Sequence, residues 1–252
     1  MKQEYQTFLN KVPALRSLGK IVLTIIYIIS LILISILYFF YLDPIIWFMP
    51  IATQSLMAVI VVIIAYIHLQ NAEHYRKKYG DLAYQAFFYH YIIPLLVSWY
   101  ALFFHPLFIS GIRLFPFLIS IIMAIIFFIF FILVTIHIER AGFKMITHGM
   151  DLYTVFPEET SIVRGEIYGF IRHPLYLSLT CGCFALAFIA NNLIAFLAAI
   201  IQLIPCILVA KMEDKELIKR VGDAHRDYIN STQIIFPFKR ILGFLKLLFF
   251  FK

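Results

Sequence analysis

The chain has 252 residues, 63% of them hydrophobic and only 14% charged, with 27 phenylalanines. That composition excludes an ordinary soluble globular domain and points to an integral membrane protein. The formal net charge of +7 is no sign of nucleic acid, because surplus Lys and Arg in a membrane protein mark the cytoplasmic side. Cys181, Cys183 and Cys206 all lie in apolar runs and lack zinc-site spacing, so they read as packing residues and no metal is expected.

About 20 apolar residues span a bilayer, and in lipid such segments must be helical to pair their own amides. Residues 1–20, with Lys2, Lys11, Arg16 and Lys20, form a basic flank without an evident cleavable signal. A first span covers 21–41 and stops at Asp43-Pro44, since proline disfavours helix in the residue before it. A second covers 45–69, with Trp47 near one interface and His68 and His74 at the other end. A polar loop, 71–81, carries Arg76, Lys77 and Lys78. A third, less apolar span over 82–104 contains His90, Trp99 and a kinking Pro94. His90 inside an apolar run is a functional candidate, tempered by its place near the polar end.

Pro116 suits the first turn of a fourth span over 117–138, with His137, Glu139 and Arg140 at its exit. Residues 141–172 are the longest non-spanning stretch and include Asp151, Glu158, Glu159, Arg164 and Glu166. Interleaved Phe143, Met145, Leu152, Tyr153 and Phe156 argue for an ordered, membrane-hugging segment. Runs 175–190 and 193–210, joined only by Asn191-Asn192, predict an antiparallel helical hairpin. Its second arm continues into 211–228 as one long helix leaving the bilayer. The tail, with Lys239, Arg240, Lys246 and Lys252 among Phe and Leu, suits an interfacial helix. Six spans put every Lys and Arg except Arg113 on one side, which predicts cytoplasmic termini. The expected fold is an all-α polytopic membrane protein of about six transmembrane helices, ending in a helical hairpin with a cytosolic helix extension.

Two polar patches interrupt this pattern. The first, 165–176, reads Gly-Glu-Ile-Tyr-Gly-Phe-Ile-Arg-His-Pro-Leu-Tyr and places a cation, an imidazole and a phenol around one helix N-terminus. Each part alone is an ordinary helix flank. The second, Glu213-Asp214, sits where the last helix leaves the membrane, and a carboxylate pair there can meet a cationic ligand. Glu216 with Arg220 reads instead as a solvated i,i+4 pair.

In this order, separated by an apolar hairpin, the two patches resemble the isoprenylcysteine carboxyl methyltransferase and phospholipid methyltransferase superfamily. Gly165 and Tyr168 match its Gly-x-Tyr element with one extra residue. Arg172, His173, Pro174 and Tyr176 match its Arg-His-Pro-x-Tyr core. Glu213 matches the first acid of its acidic pair and Asp214 replaces the second, with Leu217 close behind. Val221-Gly222 stands for Phe-Gly, His225 replaces one tyrosine and Tyr228 matches the next. The resemblance covers roughly 150–237.

It divides the chain into N-terminal spans (1–140), a methyltransferase-like region (141–237) and a basic interfacial tail (238–252). It implies S-adenosylmethionine as cofactor and a lipid-like acceptor, either a prenylcysteine carboxylate or a lipid amine. Gly165, Tyr168, His173, Pro174, Tyr176, Glu213 and Asp214 are the expected cofactor residues, and Arg172 and Glu213 the catalytic ones. Asp214 or His225 could take an amine's proton. No Gly-rich dinucleotide fingerprint is present. An NADPH-dependent sterol-reductase-like enzyme and a non-enzymatic transporter or scaffold are the alternatives. The adjacent Arg-His-Pro and acidic pair weigh against the first, and the scarcity of midplane polar residues against the second.

Overall fold

The computed structural model describes residues 2–145, 148–150, 152–157, 163 and 165–250. Asp151, Glu158, Glu159, Arg164 and Lys252 lie outside the described residues. Among the described residues regular structure is helical throughout, apart from two isolated β-bridges. In chain order the helices are α1 (Lys2–Lys11), α2 (Leu18–Tyr41), α3 (Met49–Tyr79), α4 (Ala83–Phe87), α5 (Ile93–Phe108), α6 (Phe117–Arg140), α7 (Leu152–Val155), α8 (Pro174–Ala190), α9 (Leu193–Val221), α10 (Asp223–Ser231) and α11 (Ile241–Phe250).

Four stretches are long and apolar enough to cross a membrane: Leu18–Ile45, Met49–Phe108, Phe117–Arg140 and Leu193–Val221. Their outward faces expose large apolar side chains such as Ile25, Leu37, Ile63 and Phe128, as expected of helices solvated by lipid. The protein is therefore an integral membrane protein. The 60-residue stretch Met49–Phe108 folds back on itself at Gly80–Leu82. Gln54 Nε2 donates to the Leu102 carbonyl at 3.2 Å, a contact that a straight helix rising about 1.5 Å per residue would forbid. Asn71 Nδ2 donates to Tyr91 Oη, and Tyr75 Oη lies 2.7 Å from His90 Nδ1, in the same antiparallel register. A π-helical turn, Phe88–Ile92, precedes Pro94. It accommodates the missing proline donor without a break.

The shorter α8 is the central helix, packed by α5, α6 and α9. Thr135 and Ser178 hydroxyls lie 2.7 Å apart, and Ser120 Oγ donates to the Phe188 carbonyl. These contacts set α6 antiparallel to α8. The hairpin turns at Asn191, in the left-handed conformation that asparagine tolerates, and Asn192 caps α9 by accepting from the Ala195 amide. The three cysteines are buried and free. The tail helix α11 buries Phe244, Leu247 and Leu248 in the bundle and exposes Leu242 and Phe250.

Two features differ from the sequence expectation. The last helix does not run unbroken to Tyr228. It ends at Val221, where Gly222 adopts φ 74°, and α10 starts afresh. A positive φ costs glycine little, so the chain reverses there. The second feature is a buried polar cluster at the end of the bundle remote from this break. Thr53 donates to Asp43 Oδ1 and His105 Nε2 lies 2.5 Å from Asp43 Oδ2. His105 Nδ1 lies 2.7 Å from Gln54 Oε1, and Gln54 Nε2 also donates to the Ala198 carbonyl. One chain of hydrogen bonds thus ties the turn after α2 to α3, α5 and α9.

Removing one member of a buried polar pair strands its partner, and about 3–5 kcal/mol is the usual cost. His105→Leu is expected to lower the thermal unfolding midpoint in detergent clearly. The double change Asp43→Leu/His105→Leu is expected to lower it less than that single change does.

Candidate functional site

Three chain segments converge beside the N-terminus of α8. Gly165, at φ 90°, opens a 3-10 turn over Glu166–Gly169, whose Ile167 and Tyr168 are buried. Residues 170–173 then pair with the strand-like return after α10. The Arg172 amide donates to the Gln233 carbonyl at 2.8 Å and the His173 amide to the Ile234 carbonyl at 3.0 Å. Pro174 begins α8 where its missing amide costs nothing. The break at Gly222 lets α10 fold back, so His225 Nε2 reaches Asp214 Oδ1 at 3.1 Å. On one continuous helix, eleven residues would separate the two by about 16 Å.

Glu213 and Asp214 are neighbours on α9 and point about 100° apart. Between them sits His173. Its Nδ1 lies 3.0 Å from Glu213 Oε2, and its Nε2 lies 3.1 Å from Asp214 Oδ1. Both partners are carboxylates, so both nitrogens are placed to donate. Burial opposes the imidazolium, but the hydrogen bonds it donates to Asp214 and Glu213 outweigh it and raise its pKa to about 9. Tyr176 Oη donates to Glu213 Oε1 at 2.5 Å. The Tyr176 ring stacks on Trp99 at 5.5 Å and lies 5.9 Å from the His173 ring.

Arg172 is more committed than its place in the motif suggests. Nε donates to Asp214 Oδ2 at 3.1 Å, and Nη1 donates to the carbonyls of Ile229 and Thr232 at 3.1 and 2.7 Å. It ties α9 to the end of α10, with Nη2 outside these bonds. Tyr228 Oη donates to the Tyr168 carbonyl at 2.7 Å, closing the ring of contacts. Burial pushes the Tyr168 phenol well above its ordinary range, which keeps it protonated.

A cavity of about 300 Å³ opens on this cluster. This lies at the low end of the roughly 300–1,000 Å³ of small-molecule sites. Tyr168, Arg172, His173, Pro174, Tyr176, Glu213, Asp214, His225 and Tyr228 all line it. Gly165 does not; it shapes the turn behind. The other wall is apolar, with Leu95, Leu96 and Trp99, and it reaches Tyr100, half exposed on the outside of α5. His90 lies outside the lining and bonds Tyr75 instead.

Trp99 and the buried His68 also line the cavity; the sequence reading gave Trp99 no role and favoured an interface position for His68 over a ligand. For Trp99 a signal existed: Leu95, Trp99 and Leu102 recur at helical spacing and all three are buried. For His68 the sequence could not decide, because an imidazole at a span's end looks the same whether it faces lipid or a cavity.

Among known proteins, residues 119–223 match the phospholipid methyltransferase family. The matched stretch runs from α6 to the start of α10 and contains both polar patches, while His225 and Tyr228 lie beyond it. No curated protein and no solved structure matches the chain.

The raised pKa of His173 makes stability depend on pH with a definite sign. The folded value, about 9, exceeds the ordinary 6.5. The contribution is therefore full below about pH 6.5 and is lost as pH rises through 9, amounting to roughly 3 kcal/mol at most. The thermal midpoint of the wild type is expected to fall between pH 6.5 and 9.5. His173→Gln is expected to start lower and to flatten that fall.

Proposed function

We propose, from a chain whose residues 119–223 match the phospholipid methyltransferase family, that the protein transfers a methyl group from S-adenosylmethionine to a lipid amine at the cytosolic membrane boundary. The match to a family described as phospholipid methyltransferases supports an enzymatic activity on a lipid-like acceptor. The observation that carries the reading is one carboxylate, Glu213, facing a cavity walled by Trp99, Tyr168 and Tyr176. Carboxylates and aromatic faces both attract a sulfonium, so the residues present fit that cofactor. When bound, it supplies an activated methyl group that leaves sulfur as the acceptor nitrogen bonds to it.

The chain's own groups do the positioning. Glu213 holds the cationic part of the donor, with Tyr176 and His173 fixing its carboxylate. Arg172 orders the wall through Asp214, and its Nη2 has capacity for the donor's own carboxylate. His173, Pro174 and Tyr168 complete the donor side. The apolar wall by Leu95, Leu96 and Trp99 excludes water and takes the acceptor's hydrocarbon.

Arg220 is paired with Glu216 and Arg172 with Asp214, and the remaining Nη2 of Arg172 goes to the donor's carboxylate. A prenylcysteine carboxylate would thus find little free positive charge, which favours the amine. Asp214 accepts from Arg172, His173 and His225. Glu213, 30% exposed at its side chain, is the acid with room to take the amine's proton. Six spans, with both termini cytoplasmic, complete the proposal. The turn at Gly80–Leu82 that divides Met49–Phe108 and the short α8 supply the two spans beyond the four long stretches.

The test is transfer of labelled methyl from S-adenosylmethionine into aminophospholipids and, separately, into prenylcysteine analogues. Label is expected in the aminophospholipid. Glu213→Gln is expected to lower the rate about a hundredfold or more, as for other lost electrostatic partners, in a protein that still unfolds cooperatively but at a lower thermal midpoint, because the His173 imidazolium loses one of its two carboxylates. Label only in the prenylcysteine would overturn the amine assignment. Binding of NADPH without S-adenosylhomocysteine would overturn the donor.

A further inference from the structure

A second cavity, of about 610 Å³, lies on the other side of the Arg172–Asp214 pair. Its floor is that pair, and its walls are Lys211 and Lys215 of α9, with Phe236 and Phe238 on the return chain. Lys211 is the first charged residue after the apolar run of α9 and stands one helical turn from Lys215. Both ammonium groups are exposed, and neither has an ion pair or hydrogen bond among the described residues. Asp214, the one carboxylate in the lining, is taken up by Arg172, His173 and His225. The groove therefore presents two uncompensated positive charges and no available negative one.

Its other character is apolar. Phe238 is 78% exposed, and the following helix α11 exposes Leu242 and Phe250. Those side chains put the rim at the depth where headgroup meets hydrocarbon. Paired cations below an exposed aromatic edge match an anionic amphiphile: phosphate between Lys211 and Lys215, an acyl chain along Phe236 and Phe238. Lysines near a leaflet surface attract anionic lipid.

We propose that this groove binds the phosphate headgroup of an anionic phospholipid, as a site separate from the methyl-transfer cavity. The two cavities share the Arg172–Asp214 wall, so a lipid seated here braces the tie between α9 and the end of α10. The proposal needs only the membrane location of the protein and stands whether or not the donor assignment does.

The experiment is native mass spectrometry of the full-length protein in mild detergent, titrated with dioleoylphosphatidylglycerol or dioleoylphosphatidylcholine. The wild type is expected to retain one phosphatidylglycerol with roughly thirtyfold preference, as two lysines at the leaflet surface would give. Lys211→Gln/Lys215→Gln is expected to bring the two lipids to parity, while Lys77→Gln/Lys78→Gln, with the same charge loss elsewhere, keeps the preference. Phosphatidylglycerol is also expected to raise the thermal midpoint of the wild type and not of the Lys211/Lys215 variant. Preference retained in that variant, or lost equally in the Lys77/Lys78 control, overturns the site. Displacement of the lipid by millimolar inorganic phosphate overturns the lipid as its occupant.

Discussion

One imidazolium held between two carboxylates organises this protein. His173 is the N-cap of α8, at the end where the helix dipole favours negative charge, and a lone cation there would be out of place. Glu213 and Asp214 on α9 supply that negative charge and grip the ring from both sides. Neither element holds the geometry alone. The α8–α9 hairpin is short-linked at Asn191-Asn192, so its open ends would splay without a clasp at the other extreme. Arg172 extends the clasp to α10 through Asp214 and two backbone carbonyls. The cavity is the space left beside it, and Glu213 is the part of the clasp that remains open to a ligand.

The bundle carries a second clasp at the remote end, where Asp43, Thr53, Gln54 and His105 join four helices. Lipid gives little hydrophobic drive for helix to pack on helix, so directional bonds and close packing set the arrangement. With one polar cluster at each end, the helices between them can expose Ile, Leu and Phe outward and still keep register. That division explains how a chain so apolar presents an ordered polar site. The buried ionisable groups of these two clusters are paired at the ends, and the long faces are left to lipid.

Much of this was legible in the residues. The apolar runs marked the helices, Asn191-Asn192 marked the hairpin, and the Arg172–Tyr176 and Glu213-Asp214 patches marked two sides of one cavity, in the region that matches the phospholipid methyltransferase family. Other features depended on contacts that no local pattern encodes. Gly222 reads as a single glycine in a helical run, and only the folded-back α10 shows it as a reversal. The commitments of Arg172 are to backbone carbonyls of Ile229 and Thr232, groups every residue has. Asp43 looked like a helix stop, whereas its carboxylate is buried against His105, 62 residues away.

The central claim is that Glu213 meets a positively charged sulfur, and binding isolates that charge without asking for turnover. The measurement is equilibrium affinity of the purified protein for S-adenosylmethionine, a sulfonium, and S-adenosylhomocysteine, its neutral thioether, in the wild type and in Glu213→Gln. The account predicts that the substitution weakens the sulfonium at least about tenfold more than the thioether, the scale of one charge-assisted contact. Equal losses for the two, or no loss for either, would contradict it.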